Sequence, residues 1–87
     1  MSHFPNKYDV ATDLRRCVLA SYSPKAFEDE NVKIFLKKAE ENLEKIKENL
    51  NESTYQLTKQ RIQKAKEPKN LLDKRREDLL TASCFIY

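Results

Sequence analysis

The sequence contains no glycine, no tryptophan and a single histidine, His3, in 87 residues. Without glycine, a P-loop and a dinucleotide-binding fingerprint are excluded, because both need backbone that approaches a phosphate closely. One histidine and two distant cysteines, Cys17 and Cys84, offer neither an ordinary zinc or iron site nor a disulfide framework. Paired carboxylates such as Glu40 and Glu41 occupy solvent-facing positions of a predicted helix, whereas acid–base catalysis needs a desolvated pocket. We therefore expect no enzymatic activity, no metal and no cofactor.

Long apolar runs are also missing. No stretch approaches the roughly 20 apolar residues that a membrane-spanning helix needs, and no apolar segment of a secretory signal follows Met1. These absences, together with two cysteines that form no framework, predict a cytoplasmic protein, with the nucleus as an alternative.

The sequence does contain a regular stripe of aliphatic residues within a highly charged segment. Their spacing alternates between four and three residues, as in the seam of a coiled coil; they are Val32, Leu36, Ala39, Leu43, Ile46 and Leu50. This seam predicts a long helix over about residues 30–50. Because a chain of this length has a small core of its own, we expect the seam to bind a protein partner, either a second copy or a different chain.

Further helices are predicted on both sides of the seam. Asn6 is a candidate cap for an N-terminal helix over about residues 7–21, and Ser23-Pro24 favours a short turn that holds Ala26 and Phe27. A second apolar stripe follows in a different phase and includes Tyr55, Ile62, Leu72 and Leu79. It predicts helices over about residues 54–66 and 69–82, with a break at Pro68 and an apolar tail over residues 83–87.

Two arrangements are possible around Asn51. The long helix continues to Lys66, with Leu57 extending the seam, or the chain turns to form an antiparallel hairpin. The second is favoured, because the stripe changes phase over residues 51–54 and Ser53 with Gln56 has the form of a capping box. The predicted fold is thus all-α: a helical hairpin or short coiled coil with an additional N-terminal helix, in one domain over residues 1–87.

The charges are unevenly distributed along the chain, although the net charge of +3 is mild. Residues 28–52 contain eight acidic and five basic residues, whereas residues 53–87 contain eight basic and four acidic residues. These two segments attract each other if they lie side by side. The basic residues of the second segment could instead follow a nucleic-acid backbone. That alternative is less favoured, because acidic residues interrupt the run and aromatic residues do not alternate with it.

The last four residues, Cys84-Phe85-Ile86-Tyr87, have the form of a prenylation box. Together with the size of the chain, they resemble the small helical, prenylated gamma subunits of heterotrimeric G proteins. The resemblance implies lipidation of Cys84 and a membrane-attached signalling or trafficking subunit, for which Arg75 and Arg76 could supply a basic second signal. We favour a different interpretation, in which Phe85, Ile86 and Tyr87 pack against the helices or a partner. A third interpretation is that the apolar end is a peptide ligand for a carboxylate-binding groove.

The favoured functional hypothesis is a non-enzymatic protein–protein interaction subunit or adaptor within a larger complex. In general appearance the sequence is similar to small coiled-coil subunits of chaperone, cytoskeletal or trafficking assemblies. The seam would provide the main contact with the partner, and the second stripe would provide the opposing face.

Overall fold

Four α-helices form within residues 6–86, the part of the chain that the computed structural model describes. They are α1 (Lys7–Ala20), α2 (Glu30–Ile46), α3 (Glu52–Ala65) and α4 (Leu72–Ile86), with short 3-10 turns at Ala26–Glu28 and Lys47–Asn49. The all-α prediction is confirmed, and residues 30–65 form two helices rather than one. His3 and Tyr87, which the sequence analysis singled out, lie outside the described residues.

Side chains that accept hydrogen bonds from the first turn define where three of these helices begin. Asn6 forms a capping box with Asp9, since each side chain accepts from the other residue's backbone N–H. Asp29 accepts from the N–H of Asn31 at the start of α2. Both starts match the sequence prediction. At α3 the cap is Asn51 rather than the predicted Ser53, because the Asn51 amide oxygen accepts from the backbone N–H of Ser53.

Consecutive helices run antiparallel. The register follows from hydrogen bonds between helices or their ends: Cys17 with Val32, Glu44 with Tyr55, Arg61 with Asp78, and Ser21 with Arg76. Helix α1 packs against both α2 and α4, and α3 packs against α4, whereas α2 and α3 approach each other mainly through side chains. The Cα atoms extend over 35 × 31 × 16 Å. The short dimension matches two layers of helices whose axes lie about 8–10 Å apart.

The core is made by residues from all four helices and the first 3-10 turn. It consists of Val10, Leu14, Cys17, Val18, Phe27, Val32, Ala39, Leu43, Ile46, Ile62, Ala65, Leu79, Ala82 and Ile86. Much of the seam on α2 is therefore satisfied inside the chain, chiefly by the apolar face of α1.

The ends of the later elements differ from the sequence prediction. Helix α2 ends at Ile46 instead of residue 50. A 3-10 turn follows it, and the extended backbone of Leu50 and Asn51 then leads into α3. Helix α4 begins at Leu72 instead of residue 69 and continues to Ile86. The predicted tail is thus helical as far as Ile86, since Ser83 and Ile86 continue the buried face of Leu79.

The connection between α1 and α2 shows how the chain turns without glycine. Ala26 has a φ of +49°, in the left-handed region that non-glycine residues seldom adopt. The Ser23 hydroxyl donates to the Asp29 carboxylate at 2.8 Å and ties the two ends of the turn together. The predicted turn around Ser23-Pro24 is present, but the Ser23 side chain stabilises it by bonding Asp29 rather than by capping Ala26–Glu28.

Candidate protein-binding surface

The structure places most of the predicted partner-binding residues inside the chain. Seven are buried, namely Val32, Ala39, Leu43, Ile46, Tyr55, Ile62 and Leu79, while Leu36 and Leu50 are partly buried against the same core. Leu72 is exposed. In this conformation the seam holds α2 onto the rest of the chain, and a partner could reach it only if the helices separated. Its role in partner binding stays a prediction.

The oppositely charged segments lie side by side within one chain, as α2 and α3. Lys66 Nζ is 3.1 Å from Glu40 Oε1, and Lys59 Nζ is 3.7 Å from Glu44 Oε1. The Tyr55 hydroxyl donates to the Glu44 carboxylate at 2.6 Å. That hydrogen bond lowers the pKa of Glu44 and raises the pKa of Tyr55. These contacts join α2 and α3 of the same chain. Much of the charge complementarity between the two segments is therefore satisfied without a partner protein.

Arg75 binds the end of α3 from the first turns of α4. Its Nε donates to the Ala65 carbonyl oxygen at 2.6 Å, and its guanidinium carbon lies 4.0 Å from the centre of the Phe27 ring. Burial lowers the pKa of Arg75, and the field of Glu28 partly opposes this. A cation at the C-terminus of a helix is electrostatically favourable. Arg75 thus satisfies a carbonyl at the end of α3 that has no partner within the helix.

Arg76 does the same for α1. Its Nε donates to the Ser21 hydroxyl and its Nη2 donates to the Ser21 carbonyl, both at 2.8 Å. The guanidinium carbon lies 4.1 Å from the centre of the Tyr22 ring, and Nη1 donates to Asp73 at 3.2 Å. Two consecutive arginines therefore bind the C-terminal ends of two different helices. We call Arg75 and Arg76 the arginine clamp.

Asp78 links α3 to α4 and is fully buried. Arg61 Nη1 donates to Asp78 Oδ1 at 2.9 Å, and Lys74 Nζ lies 3.7 Å from the same oxygen. Its other oxygen, Oδ2, has no hydrogen-bond partner within residues 6–86. With the arginine clamp, this pair commits several members of the predicted basic run to contacts within the fold.

An open, mostly apolar groove lies on the outer side of α1 and α2. It is lined by Arg16, Leu19 and Ala20 of α1 and by Asn31 and Phe35 of α2. Leu19 is 72% exposed, whereas Phe35 and Ala20 are partly buried against the core. We call these five residues the α1–α2 groove.

The rim of the α1–α2 groove is basic. Arg16 stacks over the Phe35 ring at 5.8 Å and lies 3.8 Å from Asp13, yet more than half of its side chain is exposed. Burial raises the pKa of Asp13, while Arg16, a hydrogen bond from Asn42 and the charge of Lys38 oppose the shift. Arg16 thus leaves positive charge beside an apolar floor.

The groove is not apparent from the sequence pattern. Leu19 follows Val18 on α1 but lies off the apolar stripe of that helix, so periodicity assigned it no role. In the sequence, Ile34 and Phe35 widen the apolar stripe of α2 at its N-terminal end, and this signal indicates contact with a further neighbour such as α1. Ile34 is 49% exposed beside the groove residues Asn31 and Phe35. Exposure of an apolar residue depends on tertiary packing, which spacing alone does not report.

The two thiols differ in their surroundings. Cys17 is buried, and its Sγ donates to the Val32 carbonyl oxygen at 3.7 Å. Burial raises the pKa of Cys17 to about 12. Cys84 is exposed on α4, but Ile86, two residues later, is buried in the core. Access to Cys84 in an extended conformation would therefore require the last helical turn to unwind.

Comparisons with known protein families, curated proteins and solved structures found no match for this chain. Within residues 6–86, no helix combines the length and the apolar character needed to cross a membrane. The same residues contain no group of three or more histidine, cysteine or acidic side chains arranged to hold a metal ion.

Proposed function

We propose that the chain is a non-enzymatic protein–protein interaction subunit or adaptor of a larger complex, and that it binds its partner through the α1–α2 groove. One observation carries the proposal. Leu19 is largely exposed beside the partly buried Phe35, although most of the apolar stripe on the same helices is packed internally. An apolar strip between two helices, with charge on its rim, suits the side chains of a third helix.

The chemistry of the rim indicates the kind of partner. Arg16 is positively charged and borders an apolar floor. A matching segment would be an amphipathic helix with aliphatic or aromatic residues on one face and acidic residues beside them. The proposal places this assembly in the cytoplasm or the nucleus.

Site-specific photocrosslinking tests the location of the contact. A photoreactive amino acid at position 19 should capture the partner in the native host, whereas the same residue at position 80 should not. Leu80 is a matched control, since it is an exposed leucine on the outer face of α4. Equal capture from both positions would contradict a groove-specific interface.

Binding measurements with the captured partner then test the energetics. Burying a leucine is worth about 1.5–3 kcal/mol, so the exposed fraction of Leu19 accounts for roughly 1–2 kcal/mol. Leu19→Asp should therefore weaken binding at least about tenfold, because it also places a charge against an apolar and acidic partner. Leu80→Asp should leave the affinity unchanged. The idea fails if both variants bind like the parent.

A prenylated, membrane-attached subunit remains the alternative proposal. The exposure of Cys84 supports it, whereas the burial of Ile86 in α4 argues for packing of the C-terminal residues. Intact mass spectrometry of protein from its native host separates the two, because only lipidation adds a prenyl mass that disappears in Cys84→Ser. Binding to nucleic acid is the less favoured proposal, since Arg61, Arg75 and Arg76 all make contacts inside the fold.

A further inference from the structure

The connection between α2 and α3 is nearly helical. Lys47–Asn49 form a 3-10 turn, and extended backbone is confined to Leu50, with φ and ψ of −107° and 151°, and Asn51, with −60° and 137°. Neither glycine nor proline occurs between residues 46 and 65. Rotation of these few residues would join α2 and α3 into one straight helix. The sequence itself is compatible with that helix, because Leu57 lies seven residues after Leu50 in the heptad register of the seam.

The two helices that flank this hinge, α2 and α3, make few close contacts with each other. Helices α2 and α3 approach each other mainly through side chains, such as Lys66 with Glu40 at the surface and the buried Tyr55 with Glu44. In contrast, α1 packs closely against α2, and α3 packs closely against α4, while the two hairpins meet mainly through α1 and α4. The chain is thus built from two helical hairpins, α1–α2 and α3–α4, joined by a short hinge at residues 47–51.

We propose that two copies of the chain exchange their α3–α4 hairpins by straightening this hinge. Each copy would then contain one helix from Glu30 to Ala65, about 54 Å long, and each α3–α4 hairpin would pack on the α1–α2 hairpin of the other copy. Contacts between hairpins, such as Arg76 with Ser21 and Arg75 with Phe27, re-form between copies. Because the same contacts are present in both forms, the equilibrium between monomer and dimer depends on the hinge and on the protein concentration.

Exchange would also use apolar surface that the monomer leaves exposed. Leu57 is 44% exposed on α3. In a straight helix, Leu50 and Leu57 lie on the same face near the middle of the dimer, where the two long helices cross. This gives the second copy a contact that the closed monomer cannot make. The proposal is independent of the α1–α2 groove, which both forms present.

Two hinge variants test the exchange in opposite directions. Glu52 is the first residue of α3, and proline is well tolerated there because that N–H has no helical partner. Asn51 already has the extended backbone that a following proline requires. Glu52→Pro is therefore compatible with the hairpin but not with a continuous helix. Asn51→Ala removes the cap of α3 and suits a straight helix. Loss of the cap destabilises each closed hinge by a factor of about five in its equilibrium constant. Because the dimer involves two hinges, the dimerisation constant should rise roughly thirtyfold.

The measurement is light scattering coupled to size-exclusion chromatography, on samples equilibrated at a series of concentrations. We expect the dimer fraction to increase from parent to Asn51→Ala and to vanish in Glu52→Pro and in the double variant. Absence of a dimer in Asn51→Ala at every concentration would overturn the proposal. A dimer that persists in Glu52→Pro would also overturn the proposal, since such a dimer would form by surface contact between closed chains and not by exchange.

Zero-length carbodiimide crosslinking tests the topology directly. Lys66 and Glu40 lie close enough to be coupled, at 3.1 Å. In dimers prepared from mixed ¹⁴N- and ¹⁵N-labelled chains, exchange predicts crosslinked peptides that carry one label of each kind. Crosslinks within one label alone, in a dimer of confirmed mixed composition, would refute the exchange.

Discussion

Replacing Arg75 by alanine should be among the most destabilising single changes to this protein. The substitution removes the Nε hydrogen bond to the Ala65 carbonyl at 2.6 Å and the stacking on Phe27 at 4.0 Å. A hydrogen bond from a charged donor contributes about 1.5–3 kcal/mol, and a desolvated cation–π contact contributes about 2 kcal/mol. Release of the desolvation penalty on the guanidinium offsets part of this sum. We therefore expect a loss of about 3 kcal/mol.

That loss is large relative to the total stability. At roughly 0.05–0.15 kcal/mol per residue, a chain of this size has a free energy of unfolding of about 4–13 kcal/mol. Urea denaturation followed by circular dichroism at 222 nm would measure the difference, and thermal melting should show a decrease of about 10–20 °C. Lys74→Ala is the control, since this neighbouring side chain is half exposed and Arg61 still pairs with the buried Asp78 after its loss.

A double-mutant cycle with Phe27→Leu separates stacking from the hydrogen bond. Leucine keeps position 27 apolar but removes the aromatic ring, so the coupling between Arg75 and Phe27 should be about 1–2 kcal/mol. The reasoning is refuted if Arg75→Ala destabilises no more than Lys74→Ala. It is refuted in part if the loss is large but the cycle shows no coupling.

Three other experiments have clear expected outcomes. In native protein Ellman's reagent should modify Cys84 and not Cys17, because Cys17 is buried with a pKa of about 12, and two thiols should react after unfolding. Ala26→Gly should raise the free energy of unfolding by up to about 1 kcal/mol, since glycine adopts a φ of +49° without steric conflict. Tyr55→Phe should raise the pKa of Glu44 toward its ordinary value of 4.5, measured by carboxyl ¹³C NMR.

The Ala26→Gly and Tyr55→Phe predictions each allow a further check. Ala39→Gly, in the middle of α2, should destabilise the protein, which distinguishes relief of strain at Ala26 from a general effect of glycine. For Glu44 the sign follows from its lowered pKa. The folded state favours the carboxylate, so its contribution is present above the ordinary pKa and is lost as the pH falls through the folded value. Tyr55→Phe should flatten that acid dependence, and an unchanged titration would rule out the hydrogen bond as its cause.

Local features of the fold were predictable from the sequence, because they depend on neighbouring residues. The caps Asn6 and Asp29 act within three residues, and the break at Pro68 follows from its missing N–H. The Asn51 cap was missed by two residues, since Ser53 with Gln56 is an equally regular pattern. Which of two nearby polar residues caps a helix depends on where the preceding turn ends.

The partner of the seam was less predictable. A heptad stripe shows that residues such as Leu43 and Ile46 need an apolar neighbour, but not whether that neighbour belongs to the same chain. Helix α1 fills this role through Leu14 and Val18. The arginine clamp was beyond sequence reasoning for a similar reason. Ser21 and Arg76 lie 55 residues apart, and no local pattern connects them.

The position of the arginine clamp has a consequence for how the protein matures during synthesis. The Ser21 and Ala65 carbonyls, at the ends of α1 and α3, receive their arginine donors from α4, which is made after both of these helices. A growing chain that lacks α4 must leave both helix ends to water and the apolar face of α1 partly uncovered. Native packing of the four helices therefore becomes complete only once α4, with its core residues Leu79, Ala82 and Ile86, has been made. It is a late and cooperative event rather than one that proceeds helix by helix.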